Sequence, residues 1–355
     1  MKQMGNFKGR CQRLRAAVTG VLLSAITAIG VAQNASPAVK VLQLRHDFYM
    51  LTVDGINIGL QVGPDGALLV NSGPARDAAA LLQTVHSLSS QPIRFIINTS
   101  ADPELTGANA PLSVAGESMM VDFRTVINFG NDIDKIPATP ENLIIRRAPI
   151  IAREGVLEQM AVTPAAQQSS FALPSEVFSR AQMNMRFNGD IINVVALPPA
   201  HSSADSAVLF RRADVVITGA VFDITHFPVI DLQNGGSIDG EIAAVNQIMN
   251  TLAVPTVPAV NNDDGTLVVP LQGPICNQPD LWSYRDMLLA VRSRVQYLID
   301  HGAKLKQVQA ADPAQGYRRR YGSDSGNWTT QDFVAAVYNS LVTARNTNGK
   351  KGGAR

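Results

Sequence analysis

The chain is short of cysteine, of charge and of histidine. Two cysteines stand in 355 residues, and Cys11 precedes an apolar N-terminal run, which leaves Cys276 as the thiol of the folded body. A disulfide framework and a thiolate zinc site are thereby excluded. A lone Cys276 reads as a small buried hydrophobe rather than a nucleophile. Charged residues make up 17% of the chain, below the usual quarter or so of a globular protein. The 30 Lys plus Arg are matched by 29 Asp plus Glu, for a net charge of +1. That balance gives no electrostatic footprint for nucleic acid. No internal repeat and no proline-rich linker divides the sequence. With 46% hydrophobic residues, disorder is excluded as well.

Acid is absent before Asp47, whereas Lys2, Lys8, Arg10, Arg13 and Arg15 crowd the start. They precede an apolar run from Ala16 to Ala32 that ends in the small residues Gly30-Val31-Ala32. This is the layout of a Sec-type signal peptide over residues 1–32. The run falls short of the roughly 20 residues that a comfortable membrane span needs. Removal after Ala32 leaves 25 basic and 29 acidic residues, net −4, in the periplasm or outside the cell. A retained N-terminal anchor is the alternative.

The segment from residue 38 to 345 reads as one α/β domain. Short β-branched runs, Val41 to Leu44, Phe48 to Val53, Ile56 to Val62 and Ala67 to Val70, are punctuated by Asp54-Gly55 and Pro64-Asp65-Gly66 as hairpins are. A helix from Pro74, spaced on Ala78, Leu81, Leu82, Val85 and Leu88, leads to a buried strand at Ile93 to Ile97. Leu143 to Ile145, Val156 to Val162 and Met183 to Phe187 have strand composition, and Asn188-Gly189 predicts a tight hairpin into Ile191 to Leu197. Ala207 to Phe210, Val215 to Thr218 and Thr266 to Val269 follow as strands. Helices are predicted from Ser237 through Leu252, with Asp239 and Glu241 at the positive end of the dipole, from Asp280 to His301, and from Asp332 to Val342 behind a cap at Thr329 or Thr330. Residues 346–355, rich in Gly and Lys, read as a disordered tail.

The stretch Val53 to Asn109, with Gly66-Ala-Leu-Leu-Val-Asn-Ser-Gly73 and Ile96-Ile-Asn-Thr99, resembles the N-terminal half of the metallo-β-lactamase superfamily. Ala196 to Phe222 resembles the start of its second half, and Pro270-Leu-Gln-Gly-Pro274 the loop that closes its metal site. The resemblance implies an αββα sandwich carrying extra C-terminal helices. Trp282 to Met287, Gly316 to Gly322 and Gly326 to Phe333 look like the tail of an exported bacterial subgroup of that fold. Arg and Tyr in 316–322 suit either a cation-π binding surface or a loop that pins the last helix.

In that family two zinc ions polarise the substrate and activate water. Carried over one position at a time, the first four ligands fall on Ser100, Asp102, Glu104 and Leu105. The later histidine falls on His201, the bridging Asp on Ala220 and the final His on Gln272. Zinc is normally held by four imidazole, thiolate or carboxylate donors, and only five histidines exist: His46, His86, His201, His226 and His301. A dinuclear site is therefore not expected, and at most one weakly held ion. Substitute ligands are Asp102, His201, Asp223 and His226. Each has a plainer role: His201 as a hydrogen-bonded turn residue, Asp102 as the cap of a helix starting at Pro103. A serine triad from His201, Ser202, Ser203 and Asp205 is excluded, since four residues in a five-residue stretch cannot face one another, and no G-x-S-x-G elbow exists. The sequence thus points to an exported, metal-depleted derivative that binds a small molecule or a protein in the old cleft. The alternative is a hydrolase of an ester, amide or thioester with one metal on Asp102, Glu104, His201 and His226.

Overall fold

The computed structural model describes residues 39–119, 146–163, 169–253 and 265–352, with side chains to 346. Residues 36–355 form one compact unit. The opening meander is β1 (Lys40–Arg45), β2 (Phe48–Val53), β3 (Ile56–Gly63) and β4 (Gly66–Val70). Helix α1 (Ala78–Leu88) crosses to β5 (Ile93–Ile97), and two short helices follow, α2 (Pro103–Thr106) and α3 (Asn109–Ala115). Then come β6 (Ile150–Arg153), α4 (Glu154–Ala161) and β7 (Glu176–Phe178). These strands form a seven-stranded sheet in chain order, β1 to β7. It is antiparallel through β4 and parallel from there on.

The second sheet contains β8 (Gln182–Phe187), β9 (Asp190–Ala196), β10 (Ser206–Phe210), β11 (Val215–Ile217) and β12 (Leu267–Val269), in the order β12-β11-β10-β9-β8. The β8–β9 hairpin turns at Asn188 and Gly189, with φ of 49° and 72°, the left-handed pair that a two-residue turn requires. After β11 the chain builds α5 (Ile238–Gln247), and beyond β12 it adds α6 (Gln278–Asp300), α7 (Leu305–Ala310), α8 (Arg318–Tyr321) and α9 (Thr330–Gly352).

The period-2 alternation of the strands sorts their side chains into layers. Phe48, Met50, Leu68, Val70 and Ile97 of the first sheet meet Ile192, Val194, Val208, Phe210 and Ile217 of the second in a core between the sheets. The opposite faces of β2 to β6 bury Leu51, Val53, Ile58, Leu60 and Ile96 under α1 and α3. The outer face of the second sheet packs against α5, α6 and α9. The result is the expected αββα sandwich with a helical extension. The sheets come so close at Gly59 that a Cβ there would lie 2.2 Å from Ile217 Cδ1, so only glycine fits.

Two expectations need correction. Val156 to Val162 is helical rather than a strand, because Val156 and Met160, four apart, share the buried face of α4. Asp239 and Glu241 stand in the first turn of α5 as expected, and Glu241 is wholly buried there with neither carboxyl oxygen hydrogen-bonded. The last helix runs to Gly352, through most of the expected tail. Its start is as predicted, Thr329 and Asp332 bonding each other's backbone N–H at 3.2 and 2.9 Å. The expected signal region and the 143–145 strand lie outside the described residues.

Leu288, Val291 and Val295 on α6 are all fully buried, which makes the extension part of the core. A chain ended at Gly273 is expected to aggregate or to lose its cooperative transition. Leu288→Ala in the full chain should cost about 2–5 kcal/mol. A cooperative melt of the shortened chain at the full-length temperature would contradict this.

Candidate functional site

The ends of β5, β9, β11 and β12 meet at one edge of the sandwich. Their order follows from the topology, because β9, β11 and β12 all run in one direction. Just after β4, Asn71 with φ of 66° accepts from Thr99 N and Thr99 Oγ1 beyond the end of β5, both at 3.0 Å. Ser206 N donates to Thr99 O at 2.9 Å and ties this end to the second sheet. Gly219 sits opposite, with φ of 59°, and a Cβ on it would lie 2.4 Å from Thr99 Oγ1. The segment carrying Ala220 is thereby held hard against the segment carrying Ser100.

Beyond the strand end, Ser100 is buried and its hydroxyl accepts from Asp102 N at 3.1 Å. Asp102 occupies the N-cap of α2, as expected, yet its side chain makes no capping bond. It points instead to His201, with Asp102 Oδ2 lying 3.0 Å from His201 Nε2. The other ring nitrogen, Nδ1, is 2.8 Å from Val229 O. A carbonyl only accepts, so Nδ1 carries hydrogen, and the carboxylate takes a second hydrogen from Nε2. Burial alone would push the imidazole pKa down, but the charge and hydrogen bond of Asp102, helped by Asp205 and Val229, raise it to about 10. Burial likewise pushes Asp102 up, and the imidazolium outweighs it, so that its pKa is lowered.

The turn that holds His201 is itself locked. Asp205 accepts from Ser202 N at 2.8 Å and from Ser202 Oγ at 3.0 Å. Burial raises the Asp205 carboxyl to about 6, against the pull of His201 and Ser202. Asp231 N donates to His201 O at 2.8 Å. Ser202 and Asp205 are thus spent on the turn and not on nucleophilic chemistry. Cys276 is also inert, with its thiol buried and pushed up to about 12.

A cavity of about 460 Å³ opens at this edge. Asp102, Glu104, Leu105, His201, Ala220, Asp223, His226 and Gln272 all line it, with Ser100 just behind. The carried-over positions therefore do converge. Their chemistry does not converge on a metal. Leu105 and Ala220 pack with Ile56 and Leu271 in an apolar cluster. Glu104 turns to Arg76 at 3.5 Å. His226 lies half exposed, with Nδ1 2.7 Å from Thr225 Oγ1 and 3.9 Å from Asp223 Oδ2. Asp223 Oδ1 accepts from Thr225 N, Thr225 Oγ1 and His226 N, and burial raises the pKa of its carboxyl. Among the described residues no group of three His, Cys, Asp or Glu side chains is placed to hold a metal ion. Zinc does not fit this donor set, because Asp102 is paired with His201, Glu104 with Arg76, and His226 with Thr225 and Asp223.

Sequence reasoning missed the far wall, Ser323 and Ser325 to Trp328, together with Phe227 to Val229. The anchor of that wall is aromatic. Phe227 stacks on Phe333 with centroids 4.6 Å apart and leans on Tyr321 at 5.8 Å, and Phe227 N donates to Tyr321 O at 3.0 Å. The 316–322 segment pins the last helix through Tyr321, and Arg320 lies over the Tyr321 ring at 5.2 Å. Tyr321 is buried, and Arg318 is spent near Asp312 and Asp324. The residues that face the cavity lie just after it.

No protein-family model matches the chain, and no curated protein matches it in sequence. Solved structures do. The stereoselective inverting sec-alkylsulfatase Pisa1 from Pseudomonas sp. aligns at TM-score 0.59 and 11% identity, over 85% of this chain and 50% of that one. A double mutant of the same sulfatase gives 0.59 and 12%, over 86% and 50%. A metallo-β-lactamase from Pontibacter korlensis aligns at 0.46 and 14%, over 71% and 99%. The chain spans about half the length of the sulfatase structures. The fold is of the metallo-β-lactamase type.

The His201 to Asp102 pair makes a pH prediction. The folded imidazole titrates near 10 against an ordinary 6.5, so its stabilisation is complete below the lower value and is lost as pH rises toward the higher. The lowered Asp102 pKa adds stability above the ordinary 3.8, lost as pH falls through the folded value. The melting-temperature gap between the natural chain and Asp102→Asn should peak near about pH 5 to 6 and close toward about pH 10. A gap that is constant over this range would show that the pair is not ionised.

Proposed function

We propose that this chain is an exported metallo-β-lactamase-fold protein with a degenerate metal site, which binds a small ligand in the cleft at the sheet edges without metal-assisted hydrolysis. The observation that carries this reading is the use of both His201 nitrogens. Nε2 bonds Asp102 and Nδ1 bonds Val229, so the ring offers no lone pair to a cation. A metal would have to displace Asp102 from an imidazole that is itself buried. The apolar contact of Leu105, Ala220 and Ile56 supports the same reading, since hydrocarbon offers a metal nothing. Placement outside the cytoplasm rests on the cationic start, the apolar run and Gly30-Val31-Ala32.

A cavity of about 460 Å³ with one apolar wall and convergent polar groups has the size and character of small-molecule sites. The charge on His201 then serves to fix α2 against the turn after β9, holding the cleft open in one shape.

Zinc content tests the reading. The natural chain, purified without chelator, should carry well under one zinc and show no specific rise in melting temperature with added zinc, because a ligand that binds only the folded state must stabilise it. Restoring Ser100→His, Asp102→His, Glu104→Asp, Leu105→His, Ala220→Asp and Gln272→His together should raise zinc content toward two. One tightly held zinc in the natural chain, lost on His201→Ala along with a hydrolytic activity, would overturn the reading in favour of a single-metal hydrolase.

A further inference from the structure

We infer that the cleft takes an uncharged molecule through an acceptor oxygen directed at the indole N–H of Trp328, with the Gln272 amide as a second partner. This inference rests on the cleft reading proposed above and names its ligand class.

The charges on the cavity wall are already answered within the protein. Asp102 is 3.0 Å from His201 Nε2, Glu104 is 3.5 Å from Arg76, and Asp223 accepts from Thr225 N, Thr225 Oγ1 and His226 N. His201 has both nitrogens engaged. No lysine or arginine is among the described residues that line the space. A charged molecule entering here would give up its water without gaining an unspent opposite charge, which is costly.

What remains unspent is neutral. Trp328 lines the cavity, and its Nε1 is buried with no hydrogen-bond partner. Among the described residues it is the one such side-chain atom on this wall. An indole N–H only donates, and buried donors are nearly always paired, so this one calls for an acceptor. Gln272, at the position of the family's last ligand, lines the same space from the loop after β12. Its backbone is fixed, since Leu271 N donates to Phe222 O at 2.7 Å and Asn57 N to Leu271 O at 2.9 Å, yet its side-chain amide bonds no described residue. A primary amide adds a donor and an acceptor, so a carbonyl or hydroxyl group can be met at two points without any net charge.

The indole N–H is closed to solvent as the wall stands. Ser325, Gly326 and Asn327 just before it are exposed, and a Cβ on Gly326 would meet nothing within 4 Å. The segment therefore has room to let the indole turn its N–H toward a bound oxygen, and binding should be visible at that proton.

The test is nitrogen-proton NMR on the full chain labelled at tryptophan. Trp282 and Trp328 are the two tryptophans, and Trp282→Phe assigns their indole signals. The probes share one ring and differ in the head group: cyclohexanecarboxamide, cyclohexylmethanol, cyclohexanecarboxylate and cyclohexylmethylammonium. The carboxamide should move the Trp328 indole proton downfield to saturation at one per chain, leave Trp282 in place, and bind about tenfold more tightly than either ion. The alcohol then decides between the two oxygens, moving the same proton if a hydroxyl serves and leaving it if a carbonyl is required. Gln272→Leu should weaken carboxamide binding several-fold at an unchanged melting temperature, because that side chain holds nothing within the protein. Trp328→Phe should remove the preference for the uncharged probe. Equal or tighter binding of either ion, or saturation by the carboxamide with the Trp328 proton unmoved, would overturn the inference and leave the cleft a ligand site. A proton already at a hydrogen-bonded position in the free chain would mean that water caps it, and would overturn the inference likewise. Binding of none of the four would overturn the cleft reading with it.

Discussion

An imidazolium held between a carboxylate 3.0 Å away and a backbone carbonyl 2.8 Å away sets what this sheet edge can do. The pair ties α2, which follows β5 of the first sheet, to the turn after β9 of the second. It therefore adds a second tie between the two sheets at the edge where Ser206 N already donates to Thr99 O. Neither partner is stable alone at this depth, because burial pushes His201 toward the neutral imidazole and Asp102 toward the neutral acid. Only together do they stay charged. The same pairing takes from His201 the nitrogen lone pair that a metal needs, and leaves its positive charge spent on Asp102.

The C-terminal extension has two physical jobs that are joined by Phe227. Its helices bury the outer face of the second sheet. Its 323–328 segment forms the far wall of the cavity, and the stacking of Phe227 on Phe333 couples that wall to the segment carrying Asp223 and His226. Packing of the extension and shape of the cleft are consequently not separable. Glu241, Asp205 and Tyr284 add a buried polar layer behind the site, with the Glu241 carboxyl raised well above its ordinary range by burial and by the nearby Asp205 charge.

How much of this was legible in the sequence differs from element to element. The meander, β5 and the Asn188-Gly189 hairpin were legible because period-2 alternation and left-handed turn residues are local signals. Val156 and Met160 misled, since two apolar positions four apart in a short segment fit either period until the neighbouring sheet is known. The floor of the cleft was legible through family resemblance, position by position, and all of its carried-over residues do gather at one edge. The bond between Asp102 and His201 was not, because 99 residues separate them and Asp before Pro equally suits a helix cap. The wall from Ser323 to Trp328 carries small polar residues that give no signal of their own, and its place depends on aromatic contacts formed only in the folded chain.

The central claim is that His201 is a paired imidazolium and not a metal ligand. The most direct measurement is the nitrogen chemical shifts of the His201 ring at about pH 8, above the ordinary histidine range, with and without one equivalent of zinc. The account predicts two protonated ring nitrogens, unmoved by zinc, and collapse to a neutral ring in Asp102→Asn. A neutral tautomer in the natural chain, or a shift of Nε2 to a metal-bound value on adding zinc, would contradict it.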